Sequence, residues 1–148
     1  MSRLLVVVDM QKDFISGPLG TVEARAIVPY VAEKAKNTPR ENLFVTLDTH
    51  QPNYMETNEG RHLPVPHCIE GTEGHALDNA IAAAVDGIPA SRIIRKPTFG
   101  SVALPDMLRA LVIGPCPLRM SYCLMSFSAY WRTLCLRMNP FFWNAGSQ

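Results

Sequence analysis

The chain has 148 residues, a formal net charge of +1, 47% hydrophobic residues and 18% charged ones, which suits one globular domain with a proper core and excludes a disordered chain. So small a net charge offers no basic field for nucleic acid or an anionic membrane surface. The four Cys, at 68, 116, 123 and 135, contain no CxxC pair, which argues against a zinc ribbon. The start "MSRLLVVVDM" lacks the apolar core and cleavage site of a signal peptide, so a cytoplasmic location with reduced thiols is expected.

In chain order, "LLVVV" (residues 4–8) is aliphatic throughout and predicts a strand covered on both faces, ending on the carboxylate of Asp9. A helix follows over about 22–36, with Val22, Ala26, Val28 or Pro29, Val31 and Ala35 at near-helical spacing. "NLFVTLD" (42–48) repeats the first pattern and ends on Asp48. A polar, Pro-rich loop is expected from Thr49 to Gly74, then a helix over 75–87 closed by a glycine. "SRIIRK" (91–96) predicts a short strand ending on Lys96, "ALPDMLRA" a helix, and "LVIG" (111–114) a further strand.

Strands alternating with helices predict an α/β fold, three layers with a mostly parallel sheet flanked by helices. In such sheets functional residues gather at the carboxyl ends of the strands. Asp9, Asp48 and Lys96 all stand at such ends. No GxGxxG follows the first strand, so a dinucleotide-binding site is not expected.

Two constellations carry chemistry. An Asp after a strand commonly caps the next turn. Beside a Lys, however, it can deprotonate and orient a nucleophile, and a Cys from the C-terminal segment is the natural nucleophile. The second constellation is "TLDTHQPNYMETNEGRHLPVPHC". Asp48 and His50 can point to one side of an extended chain, and His67 returns behind two stiffening prolines. A carboxylate with two imidazoles suits a divalent transition metal such as Zn, Mn or Fe, with Glu59 or Glu56 as fourth ligand.

Together "VVVDMQKDF", "TLDTHQPNY", "LPVPHCIEGTEG" and "RKPTFGS" resemble the nicotinamidase-type cysteine hydrolases of the isochorismatase-like superfamily, over residues 3–114. The resemblance implies a Cys that attacks a carboxamide carbon, an Asp base and a Lys completing the triad. It also implies a metal ion that binds the pyridine nitrogen of the substrate. Asp9 corresponds to the base, Lys96 to the lysine, and Asp48, His50 and His67 to metal ligands. Glu59 is the preferred fourth ligand with Glu56 in reserve, and Phe14 resembles a residue lining the substrate pocket. The implied partner is a small-molecule amide, nicotinamide first, with neither nucleic acid nor membrane. A homo-oligomer is compatible with the resemblance and with the apolar tail. True isochorismatases lack the metal quartet, so "DTH…PHC" argues for the amidase branch, where another small amide is the alternative substrate.

Residues 115–148 depart from this pattern. All 13 acids precede residue 107, whereas 107–148 hold four Arg, no Lys, both Trp and three Cys. The family's Thr-Asp pair before the nucleophile is absent. Matching "SYCLMS" to the family segment makes Cys123 the nucleophile, three residues further from Gly114 than expected. Strict counting from Gly114 gives Met120 instead, with Cys116 at the family's earlier, non-catalytic position. Cys135 suits a buried thiol. The expectation is a single domain whose C-terminal third is atypical and truncated. Its activity would be weak, and the other outcome is an inactive remnant that binds a metal or a partner.

Overall fold

The computed structural model describes residues 3–101, 103–112 and 119–125, with Arg3, 108–112 and 119–125 as backbone. Four parallel strands form one sheet in the order β3-β2-β1-β4: β1 is Arg3–Val8, β2 Leu43–Asp48, β3 Ile93–Lys96 and β4 Arg119–Met125. Parallel strands need crossovers, and the helices that supply them cover both faces. α1 is Lys12–Ile15, α2 Val22–Lys36, α3 Asn58–His62, α4 Asn79–Ala84 and α5 Ala103–Val112. This is the expected three-layer α/β arrangement.

The period-two geometry of a strand sorts β1 between the layers. Leu5 and Val7 pack with Leu43 and Val45 against Val28, Val31 and Ala35 of α2 and Ile81 and Ala84 of α4. Leu4, Val6 and Val8 face the other way, with Phe44, Ile94 and, from α5, Leu104 and Met107. Each such buried aliphatic side chain contributes about 1.5–3 kcal/mol of burial free energy, which is why β1 contains no polar residue between Leu4 and Val8.

Four expectations need correction. The buried stripe of α2 is Ala24, Val28, Val31, Ala32 and Ala35, whereas Val22 is 76% exposed and Ala26 and Pro29 are also exposed. Thr21 sets the helix start by accepting a hydrogen bond from the Ala24 N–H, and Pro29 lies on the exposed side of the helix. The helix expected over 75–87 is only Asn79–Ala84, because Leu77 is bridged to Gln11 and the Asp78 N–H donates to the Met10 carbonyl. The loop from 49 to 74 contains a 3₁₀ turn, Tyr54–Glu56, and α3, whose start Thr57 caps by accepting from the Gly60 N–H.

The strand expected at 111–114 is displaced. Leu111 and Val112 belong to the last turn of α5, the strand beside β1 is Arg119–Met125, and residues 113–118 lie outside the described ones. The apolar run of "LVIG" continues the helical spacing of "ALPDMLRA", and short apolar runs read equally as strand or helix. Among the described residues no helix is long and apolar enough to cross a membrane.

Candidate active site

The three strand ends named above meet at one rim. Asp9, the residue after β1, has φ 51, a left-handed backbone that Asp tolerates better than most residues and that turns the chain toward α1. Its Oδ1 accepts from Thr46 Oγ1 at 2.6 Å, and its N–H donates to the Thr46 carbonyl at 3.2 Å. Its Oδ2 lies 2.7 Å from Lys96 Nζ. Burial drives the Asp9 carboxyl above the ordinary carboxylate value, with Lys96 and the Thr46 hydroxyl opposing. Lys96 is also buried, and burial works to lower its pKa. The carboxylates of Asp9 and Asp48 more than offset this and raise it, so the amine stays an ammonium. Its Nζ also donates to the Phe99 carbonyl at 3.3 Å.

Lys96 joins this pair to the second constellation, since its Nζ is 3.6 Å from Asp48 Oδ1. Asp48 Oδ2 in turn lies 3.0 Å from His50 Nε2 and 3.3 Å from His67 Nε2. Burial pushes the Asp48 carboxyl up, but hydrogen bonds from both imidazoles and the Lys96 charge outweigh it and hold the group far below the usual range. Glu59 completes the group, with Oε1 3.9 Å from His50 Nε2. One ligand atom from each of Asp48, His50, Glu59 and His67 falls within 4.8 Å of the others. Glu56 is exposed at the end of its 3₁₀ turn.

These donors suit a divalent cation on their own chemistry. His67 Nδ1 bonds the Val65 carbonyl at 2.8 Å, so that nitrogen carries the proton, because a carbonyl can only accept. In the neutral ring Nε2 is then a bare lone pair facing Asp48 Oδ2, and two acceptors at that separation need a proton or a metal ion between them. Burial lowers the His67 pKa, but Asp48 and the Val65 carbonyl outweigh it and raise the value, the signature of a site that draws positive charge. Glu59 is pushed up by burial and by the Asp48 carboxylate, a repulsion that a bound cation would remove. Fixing one imidazole nitrogen on a carbonyl so that the other faces the ion is a recurrent metal-site design.

Phe14 is buried with its ring edge-on to His67, centroids 5.4 Å apart, and Tyr54 packs against His50 and His67 at 4.6 and 5.0 Å. The Tyr54 hydroxyl donates to the Leu63 carbonyl at 2.9 Å, and burial with the neighbouring carboxylates pushes its pKa up to about 12.

Three supporting residues escaped the sequence reading. Gln11, fully buried, accepts from the Asp48 N–H at 2.7 Å and donates to the carbonyls of Asp48 and His75, each at 2.8 Å. It thereby forms a backbone-like pair with the residue whose carboxylate both imidazoles face. Asp13 Oδ2 accepts from the Cys68 N–H at 2.7 Å, and Tyr54 walls the imidazoles. The "DMQKDF" and "NY" motifs contained all three, but only three-dimensional proximity assigns them work. Cys68 itself has φ 47 and is fully buried, and burial with the neighbouring carboxylates pushes its thiol up, away from the thiolate form.

The structure does not bring Cys123 to the rim by its backbone. β4 pairs Cys123 with Val6, three residues before Asp9, so its backbone stands about 10 Å short of the rim at ~3.3 Å per residue. Met120 pairs with Leu4 still further back, and Cys116 and Cys135 lie outside the described residues.

Residues 3–114 match the family model described as the isochorismatase domain. The chain belongs to the isochorismatase family. Among solved structures it is similar to a nicotinamidase/pyrazinamidase from Bacillus subtilis, with a TM-score of 0.63, 21% identity, and coverage of 82% of this chain and 70% of that one. A pyrazinamidase of Pyrococcus horikoshii in complex with zinc gives a TM-score of 0.51, 28% identity and coverage of 75% and 65%. An N-carbamoylsarcosine amidase from Thermoplasma acidophilum gives 0.51, 25% identity and coverage of 80% and 66%. This isochorismatase-family chain thus spans about two thirds of the length of such relatives. No curated protein matches its sequence.

Proposed function

We propose that this isochorismatase-family chain is a metal-dependent cysteine amidohydrolase, with nicotinamide as the first substrate to test and nicotinate and ammonia as products. The observation that carries the reading is the Asp9–Lys96 pair lying against Asp48 of the four-residue cation site. A divalent cation held by Asp48, His50, Glu59 and His67 would supply a Lewis-acidic anchor for a ring nitrogen, with Zn, Mn and Fe all suited to such donors.

Asp9 is proposed as the base, because a carboxyl raised by burial takes a proton near neutrality more readily than an exposed one. It accepts the thiol proton of Cys123, the thiolate bonds to the carboxamide carbon, and the C–N bond breaks. Asp9 passes that proton to the amide nitrogen as the C–N bond breaks, so that the group leaves as ammonia. Water hydrolyses the thioester to the acid and restores the thiol. Lys96 keeps its proton throughout and holds Asp9 in place, and Phe14 lines the ring pocket. The backbone register of Cys123 opposes direct contact with Asp9, so turnover is proposed to be weak.

Ammonia release from nicotinamide by the zinc-loaded chain tests the reading, with Asp9→Asn and Cys123→Ala as controls. Turnover abolished by both substitutions supports it. Turnover insensitive to Cys123→Ala removes that residue from the scheme, and the absence of turnover leaves a metal-binding protein. The likeness to an N-carbamoylsarcosine amidase supports a second substrate class, small carbamoyl amides, which the same assay separates.

A further inference from the structure

We infer that Asp13 is a positioning residue that sets the cation site through the His67–Cys68 turn, an inference that rests on the metal reading above. Asp13 donates its N–H to the Gly74 carbonyl at 3.1 Å and accepts at Oδ2 from the Cys68 N–H at 2.7 Å. It therefore ties together two loop segments that the chain separates from it by more than fifty residues. The N–H it holds belongs to a residue at φ 47, a backbone conformation that a non-glycine residue keeps only when its surroundings impose it.

The direction of His67 follows from that turn. Its Nδ1–H is fixed on the Val65 carbonyl on one side, and the Asp13 clamp fixes the peptide on the other, leaving Nε2 aimed at Asp48 Oδ2. Phe14, next to Asp13 on the same short helix, presses its ring edge on the imidazole. One helix of four residues thus supplies both constraints.

Two glycines seat the Asp13 side chain. A Cβ on Gly74 would overlap the Asp13 carboxylate, and one on Gly17 would come 2.6 Å from Asp13 Oδ1. The carboxylate fills the space that both bare glycines leave, so its bond to Cys68 is a packed contact and not a surface accident. A general structural role would predict only a lower melting temperature. A positioning role predicts weaker cation binding at unchanged ligand identity.

The test is zinc affinity of the full chain by competition with a chromophoric chelator, together with the visible spectrum of the cobalt form and the melting temperature of the metal-free form. Asp13→Ala is expected to weaken zinc binding about 10–100-fold, as loss of an outer partner of a ligand does elsewhere. Asp13→Asn keeps an acceptor for the Cys68 N–H and is expected to recover most of the affinity. Gly74→Ala retains the carboxylate but displaces it, and is expected to match Asp13→Ala and to shift the cobalt bands. If Asp13→Ala does not fold, the Asn and Gly74 variants decide. Wild-type zinc binding with all folded variants equal to it overturns the inference alone. A wild-type chain that binds no zinc brings down the metal reading as well.

Discussion

Lys96 Nζ stands 2.7 Å from Asp9 Oδ2, and each side chain is only 4% exposed. Breaking a buried pair by removing one partner leaves an uncompensated charge and costs about 3–5 kcal/mol. Lys96→Met is therefore expected to destabilise the metal-free chain by that order, measured by urea unfolding. Adding Asp9→Asn should restore most of it, since Asn tolerates the φ of 51 and carries no charge. A single-variant cost below about 1 kcal/mol, typical of exposed pairs, would contradict the buried geometry.

The same pair gives an alkaline signature. The folded pKa of Lys96 is raised above 10.5, so its stabilising contribution is fully present below 10.5 and is lost as pH rises through the still higher folded value. The stability difference between wild type and Lys96→Met is expected to hold constant from the pH at which Asp9 is ionised in both proteins up to pH 10.5, and to narrow as pH rises beyond it. Urea midpoints of the two proteins across that range measure it. A difference that narrows already near neutrality would place the lysine in a different environment.

Much of this architecture is readable before folding. "LLVVV" and "NLFVTLD" predict β1 and β2 nearly residue for residue, because strands buried on both faces leave no room for polar alternation. Asp9, Asp48 and Lys96 fall at the expected strand ends for the same reason. Helix ends are less legible. α4 starts late because Leu77 and Asp78 spend their backbone bonds on Gln11 and Met10, contacts at long sequence separation that no local pattern encodes. The roles of Gln11 and Asp13 are hidden likewise, since each acts on backbone groups dozens of residues away. The strand misplaced to 111–114 fails for a local reason, an apolar run that fits either period.

The cation site predicts a strong metal dependence. Zinc at about 100 times its dissociation constant should stabilise the fold by about 2.7 kcal/mol, and a chelator should reverse the shift in melting temperature. Asp48 is the carboxylate that both imidazoles face. Asp48→Asn is expected to abolish most of the zinc-induced shift while keeping the Gln11 backbone pair, which uses only the Asp48 N–H and carbonyl. Thermal melts with and without zinc compare the two directly. An undiminished shift in the variant would place the ion elsewhere.

Gly60 gives the most local test of how Glu59 is presented. In a helix Ala normally gains about 1 kcal/mol over Gly. Here, though, a Cβ would strike the Tyr54 carbonyl and come 2.8 Å from Met55 Cα. That carbonyl cannot yield cheaply, because it accepts from Thr57 Oγ1 at 2.6 Å and from the Thr57 N–H at 3.0 Å. The clash should cost about 1–3 kcal/mol and win over propensity. Relief must come from α3 shifting away, which carries Glu59 off His50 Nε2 and weakens zinc binding. Gly87→Ala is the control: φ is +77 there, so the backbone is strained, but nothing lies within 4 Å. It should lower stability and leave zinc affinity unchanged. Calorimetric zinc titration of both variants separates the effects, and equal zinc affinities for the two would detach Glu59 from the cation.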